Sequence, residues 1–158
     1  MAEPEEAPGV TQVDGAEEAG AALVNAAFLG TGAIVATSAV AAAVPDTFGV
    51  VHAGLSVILF VIGTGAMLWA YALGVSRSRT DLVSIPGLFF LAGDVAPPTT
   101  RRALRIATAV EIVAVVVAAS FRPYTEVAFG ILAPMFGLGL MGTWGGRYGE
   151  FPERPRQA

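Results

Sequence analysis

Long runs of apolar residues alternate with short polar segments along the chain. Four of these runs approach the roughly 20 residues that a helix needs to cross a bilayer. The predicted spanning helices are 21–44, 48–75, 103–121 and 127–146. Residues 45–47 leave room for only a tight turn between the first two, and residues 122–126 do the same between the last two. The pattern therefore predicts an all-α polytopic membrane protein with four transmembrane helices arranged as two antiparallel hairpins.

A fifth apolar segment, residues 82–93, lies between the second and third spans and is too short to cross a bilayer. Asp81 and Asp94 flank this segment, and Pro86 and Gly87 interrupt it. Such lengths are typical of interfacial or re-entrant pieces. We favour an interfacial segment whose leucine and phenylalanine side chains lie at the lipid headgroups or dock on a partner.

The two ends of the chain are polar. Residues 1–18 contain six acidic residues and no arginine, and prolines and glycines interrupt them. A segment of this composition buries too little apolar surface to order itself, so we predict a disordered acidic tail over residues 1–20. Residues 147–158 form a C-terminal tail after the last span. The transmembrane domain between the tails covers residues 21–146.

The composition narrows the classes of function. Hydrophobic residues make up 54% of the 158 positions and charged residues 14%, whereas soluble domains carry about 25% charged residues. With no cysteine and a single histidine, the chain offers no disulfide, no thiolate metal site and no site that needs two histidines. We expect no catalytic residue, no cofactor, no metal ion and no nucleic-acid partner, and therefore no enzyme.

Arginine positions predict the orientation in the membrane. Of the nine arginines, eight lie in or beside the loop between the second and third spans or after the fourth span, and Arg122 lies on the other side. Short loops rich in arginine stay cytoplasmic, so we predict that both termini are cytoplasmic and that the membrane is the plasma (inner) membrane. Arginine also binds anionic lipid headgroups at that surface. We assign these topological and lipid-headgroup roles to Arg77, Arg79, Arg101, Arg102 and Arg105.

Glu111 falls near the middle of the third span, where an ionised carboxylate is costly and usually faces the protein interior. Ala107, Ala114 and Ala118 share its helical face, and such small residues let another helix approach closely. Three interpretations remain open: a protonated carboxyl bonded to a neighbouring helix, a pair with a basic group of a partner subunit, or a proton carrier in a coupled transporter. The intramolecular bonding candidates are Tyr71, Thr64 and Thr37.

The fourth span is rich in glycine. Gly142 and Gly146 have the spacing that permits close helix packing, and Gly137 lies further along the same span. We interpret these three glycines, together with Glu111 and the alanines on its face, as helix-packing residues or contacts with a partner. A tight bundle, a partner or both would explain them, and the number of small-residue faces favours a partner.

Two stretches carry a resemblance. Residues 79–93 (RTDLVSIPGLFFLAG) and 122–144 (RPYTEVAFGILAPMFGLGLMGTW), followed by RYGEFP at 147–152, resemble a family of small four-helix membrane proteins of actinobacteria. Arginine in place of lysine, with many alanines and glycines, agrees with a GC-rich genome of that kind. The family includes an accessory subunit of mycobacterial MCE lipid importers. The resemblance implies a helper that docks on a permease and performs no chemistry, so no active residues carry over.

The sequence thus favours a non-catalytic integral membrane accessory subunit of a larger complex, with an MCE-type lipid or fatty-acid import system as the leading candidate. Its expected partners are other integral membrane subunits, such as an ABC-type permease, and membrane lipids. Two alternatives are a small proton-coupled transporter that uses Glu111 and an accessory subunit of a respiratory membrane complex.

Overall fold

The computed structural model describes the backbone of residues 10–155 and the side chains of residues 20–155. The disorder predicted for residues 1–9 lies outside this range and stays a prediction. The helices are α1 (Val10–Ala43), α2 (Pro45–Arg77), α3 (Ile85–Phe90), α4 (Pro98–Phe121), a 3-10 helix (Glu126–Leu132) and α5 (Met135–Tyr148).

The prediction of an all-helical protein with four spans is confirmed. The segments long and apolar enough to cross a membrane are Gly20–Ala43, Pro45–Arg77, Pro98–Phe121 and Glu126–Tyr148. Val44 alone separates the first two, and residues 122–125 separate the last two, so consecutive spans form tight hairpins. The chain is a multi-pass membrane protein.

Three helices begin earlier than the apolar pattern indicates. α2 begins at Pro45 rather than at 48, so the residues predicted as the turn belong to this helix. α1 begins at Val10 rather than at 21, so residues 10–20 belong to the helix and not to a disordered tail. A helix that is already nucleated extends at little further cost, and the alanines and glutamates before the span favour helix. α4 begins at Pro98 rather than at 103. Proline is well suited to the first position of a helix because its missing N–H would be unpaired there anyway.

The fourth span is interrupted. The pattern predicts one helix over 127–146, but the structure has the 3-10 helix Glu126–Leu132 and then α5, with Ala133 and Pro134 between them. Pro134 has no N–H and cannot continue a regular helix across this point.

The fourth span is the most enclosed part of the bundle. Its two halves contact α2 and α4, and α5 also contacts α1, while α1 packs between α2 and α4. Just over half of its residues are buried, against under a quarter of those in the α2 span. Ile34, Leu104, Val115 and Phe136 are among the side chains that form the shared core.

The segment predicted to be interfacial contains α3. Ser84 caps this helix by accepting a hydrogen bond from the Gly87 amide at 3.1 Å, and Leu91, with a φ of 50°, ends it. Leu88 and Phe89 are buried, because α3 packs on α5 and on the end of α2. These apolar side chains therefore dock on their own chain.

The C-terminal residues close over the same end of the bundle, which we call the arginine-rich end. The Leu82 amide donates to the Pro152 carbonyl at 2.8 Å, and the Arg154 amide donates to the Thr80 carbonyl at the same distance. The guanidinium of Arg77 lies 5.1 Å from the centre of the Phe151 ring. The described part of the predicted C-terminal tail is thus packed on the loop between α2 and α4.

Candidate functional site

Glu111 is fully buried in the middle of α4, as its alanine-lined face predicts. Its Oε1 accepts a hydrogen bond from the Thr31 hydroxyl of α1 at 3.0 Å. The same hydroxyl oxygen lies 3.4 Å from the carbonyl oxygen of Ala107. The carboxyl group therefore joins α4 to α1 in the interior of the bundle.

The second carboxyl oxygen, Oε2, has no hydrogen-bond partner among the described residues. It faces Gly137 of α5, where an added Cβ would lie 3.0 Å from it. The Thr108 hydroxyl also lies beside Gly137, and it donates to the Leu104 carbonyl at 3.0 Å. We call the group formed by Glu111, Thr31, Ala107, Thr108 and Gly137 the Glu111 pocket.

The bonding partner of Glu111 differs from all three candidates that the sequence offered. Tyr71 points out of the bundle, and the Thr37 hydroxyl contacts His52 instead. The Thr64 hydroxyl oxygen is buried with no hydrogen-bond partner among the described residues. Tyr71 and Thr64 are wrong because they lie on α2, whereas α1 is the helix that packs against α4 at Glu111. Thr37 lies on α1 but six residues, about 9 Å along the axis, beyond Thr31. Thr31 shares a helical face with the buried Ile34 and Ser38, and this spacing is the signal that marks it as an inward residue.

His52 is the second titratable side chain buried inside the described spans. Its Nδ1 lies 3.2 Å from the Thr37 hydroxyl, which itself donates to the Ala33 carbonyl at 2.8 Å. Its Nε2 has no hydrogen-bond partner among the described residues and faces Gly130. Val115, one helical turn after Glu111 on α4, also lies beside Gly130. His52 is therefore buried about one helical turn away from Glu111 along the bundle.

The alanines beside Glu111 and the glycines of the fourth span serve the bundle itself. Ala107 and Ala118 are buried, and Ala114 is half-buried. An added Cβ at Gly142 would lie 2.6 Å from the Phe89 ring, and one at Gly146 would lie 3.1 Å from Leu73. These contacts are intramolecular, so the predicted packing role of the glycines has a direct structural basis and a partner is not needed to explain them.

Three of the five loop arginines bond to backbone carbonyl groups, two of them at helix ends and one in the loop between α3 and α4. Arg105 donates to the Phe90 carbonyl at 2.7 and 2.8 Å, beyond which α3 ends. Arg77 donates to the Gly146 carbonyl near the end of α5 at 3.3 Å, and Arg101 donates to the Gly93 carbonyl. Guanidinium groups satisfy carbonyl groups that have no partner within the helix and offset the negative end of its dipole.

The other two loop arginines, Arg79 and Arg102, are exposed. On the opposite side of the bundle, Arg122 donates to the Ala42 carbonyl near the end of α1 at 3.1 Å. Neither the amino-acid composition nor the distribution of arginines along the sequence indicates that these arginines bond to backbone carbonyl groups. The lipid-headgroup role assigned to the loop arginines stays a prediction.

Comparisons with models of known protein families, with curated proteins and with solved structures give no match. The family resemblance therefore stays a prediction. Within the residues that the structure describes, no group of three or more histidine and acidic side chains lies close enough together to hold a metal ion. The features that remain to be explained are the Glu111 pocket and the outer surfaces of the spans.

Proposed function

We propose that this chain is a non-catalytic integral membrane subunit that docks on other membrane subunits through the outer face of α1. The observation that carries the proposal is a row of small and polar residues on that face, spaced by three, four or seven positions. Its members are Asn25, Gly32, Ala36, Ala39 and Ala43, and all of them are exposed. The exposed Leu29 lies in the same row, between Asn25 and Gly32.

Two of these residues are unusual for a surface that meets only lipid. An added Cβ at Gly32 would have no neighbour within 4 Å, so the bundle does not require glycine there. Glycine weakens a helix by about 1 kcal/mol relative to alanine, but it lets a second helix approach closely. The exposed amide of Asn25 has few partners in hydrocarbon and favours a hydrogen bond across a helix pair.

The leading candidate for the complex is an MCE-type lipid or fatty-acid import system, in which the partner is a permease subunit. The resemblance of residues 79–93 and 122–144 to the accessory subunit called LucB supports this candidate. The distribution of arginines, eight against one, supports a plasma-membrane location with both termini in the cytoplasm. In this orientation the arginine-rich end faces the cytoplasm.

Native purification in mild detergent, followed by mass spectrometry, tests the proposal. We expect the wild-type chain to copurify with a permease subunit in a fixed ratio. Gly32→Leu should abolish copurification without lowering the unfolding temperature of the monomer. Gly54→Leu is the matched control, because an added Cβ at Gly54 also meets nothing within 4 Å but on the outer face of α2. A wild-type chain that stays monomeric and retains no membrane subunit contradicts the proposal.

The buried carboxyl group favours a second candidate, a small proton-coupled transporter. An acid with one unpartnered oxygen inside a bundle is typical of proton-carrying sites. Glu111→Gln keeps the shape and the hydrogen bond from Thr31 but cannot ionise. Transport in reconstituted vesicles that is equal for wild type and Glu111→Gln would exclude this candidate.

A further inference from the structure

No basic side chain lies beside the Glu111 carboxyl group, and the partial positive charge near it is that of the first turn of α5 at Gly137. The carboxyl group is fully buried, and one hydroxyl group is its single side-chain partner among the described residues. A carboxylate in such a low-dielectric site is strongly disfavoured unless a cation accompanies it. The charge state of Glu111 is therefore decided by what the pocket binds.

No side chain around the pocket provides that cation. The α1 span (Gly20–Ala43) contains no titratable residue, and the titratable residues of the fourth span, Glu126, Arg147 and Tyr148, lie at its two ends. On α2, His52 faces Thr37 and Gly130 instead of Glu111.

The arginines of α4 are also engaged or distant. Arg105 is the nearest in sequence and lies about 9 Å from Glu111 along the helix axis, at 1.5 Å per residue. Its guanidinium group donates to the Phe90 and Leu91 carbonyls. Arg101 donates to the Gly93 carbonyl, and Arg102 is exposed.

Three oxygen atoms from α1 and α4 meet in the Glu111 pocket. The Thr31 hydroxyl oxygen lies 3.0 Å from Glu111 Oε1 and 3.4 Å from the Ala107 carbonyl oxygen. A hydroxyl group has one hydrogen to donate. When the Thr31 hydroxyl donates its hydrogen to the Ala107 carbonyl, it can only accept from Glu111. The 3.0 Å contact is then a hydrogen bond if the Glu111 carboxyl group is protonated and acts as the donor. Carboxyl, hydroxyl and carbonyl oxygens are also the ligands that hard metal cations prefer.

We propose that the Glu111 pocket is a binding site for one small monovalent cation, a proton or Na⁺, held between the Glu111 carboxyl group and the Thr31 hydroxyl. The site is closed by Gly137 of α5, where a larger residue would occupy the space beside Oε2. Occupation neutralises the carboxyl group and allows α1, α4 and α5 to pack. The proposal is independent of any partner complex, because all its ligands belong to this chain.

Labelling with dicyclohexylcarbodiimide tests the proposal on the purified full-length chain in detergent. This apolar reagent reacts with protonated carboxyl groups: the acid O–H adds across one C=N bond, a C–O bond forms and the proton moves to nitrogen. Nothing leaves, so intact-mass spectrometry detects the mass of the whole reagent. We expect one label on the wild-type chain at neutral pH and a loss of several-fold or more at alkaline pH.

Two variants locate the label. Glu111→Gln should lose it completely, whereas Glu126→Gln, which removes an exposed carboxyl group at the end of the fourth span, should keep it. Sodium chloride compared with choline chloride at equal concentration distinguishes the two cations. Labelling that falls in sodium identifies a site that also takes Na⁺, and labelling that falls only with rising pH identifies a proton site.

An infrared spectrum provides a readout that does not depend on reagent access. The wild-type chain should show a carboxylic-acid C=O band that is absent from Glu111→Gln and weakens at alkaline pH or in sodium. The proposal is overturned if this band is missing at neutral pH in the folded chain without sodium, or if both band and label are insensitive to pH and sodium.

Discussion

The glycines of α5 and the glycines on the outer faces of α1 and α2 occupy opposite environments. An added Cβ at Gly137, Gly142 or Gly146 would meet another helix, whereas one at Gly32 or Gly65 would meet nothing within 4 Å. The first group is explained by the bundle, because contacts this close leave no room for a side chain. The second group is not explained by the bundle. Glycine therefore lies on the buried face of α5, but on α1 and α2 it also lies on faces that are open to another molecule.

The largest expected effect is that of Gly142→Leu. A leucine at this position collides with the Phe89 ring, 2.6 Å from an added Cβ, and with Ala70 at 3.0 Å. Crowding of this kind typically destabilises a protein by about 3 kcal/mol or somewhat less. We expect a lower unfolding temperature in detergent and release of α3 from the bundle. Gly65→Leu on the outer face of α2 is the control. If both variants lose the same unfolding free energy, the buried and exposed glycines do not differ as the structure indicates.

Gly137→Ala should have an intermediate effect. Its methyl group would lie 3.0 Å from Glu111 Oε2 and against Thr108, which requires the helices to separate slightly. We expect a net loss of about 1 kcal/mol, because the better helix propensity of alanine offsets part of the crowding. The free energy of unfolding, measured by titration with a denaturing detergent, gives this loss.

A double-mutant cycle shows whether that loss arises in the Glu111 pocket. Thr108→Ala removes the nearest side chain, so the pair Gly137→Ala and Thr108→Ala should be more stable than the sum of the single losses predicts. If the stability losses of the two single variants simply add in the double variant, the loss caused by Gly137→Ala arises outside the Glu111 pocket.

The smallest effect is expected for Gly32→Ala. In the isolated chain it should raise the free energy of unfolding by up to about 1 kcal/mol, because alanine favours helix and the added methyl group meets no neighbour. In the presence of the partner the same change should weaken the complex. An isolated variant that is less stable than wild type would mean that Gly32 serves the bundle, and the contrast with α5 would disappear.

Much of the architecture was predictable because membrane spans leave a strong signal. The four spans, the tight hairpin between the first two and the buried position of Glu111 all follow from apolar length and from the alanine-lined face, although the turn itself is at Val44 and residues 45–47 belong to α2. The early start of α4 was not predictable, since the helix continues through polar residues that no longer contact hydrocarbon. The break at Pro134 separates a 3-10 helix from an α-helix, a change that hydropathy does not distinguish.

Contacts between spans were much less predictable than the spans themselves. Helical periodicity indicates that Glu111 faces inward, but the order of helices around the bundle decides that Thr31 is its partner. The capping of helix ends by Arg77 and Arg105 was missed for a similar reason. Arginines near the membrane surface have a sufficient topological explanation, and their bonds depend on how the loop folds back over the bundle.

The interrupted fourth span also has a consequence for biogenesis. This span is synthesised last, has the lowest mean hydropathy of the four, 1.6, and contains six glycines between residues 126 and 146. Such a segment is a poor independent helix and gains most of its stability from neighbours. The first three spans must therefore be inserted in the membrane before the fourth span can pack stably. A nascent chain stalled before Glu126 would hold an open groove lined by Gly63 and Ala70, a natural substrate for membrane quality control.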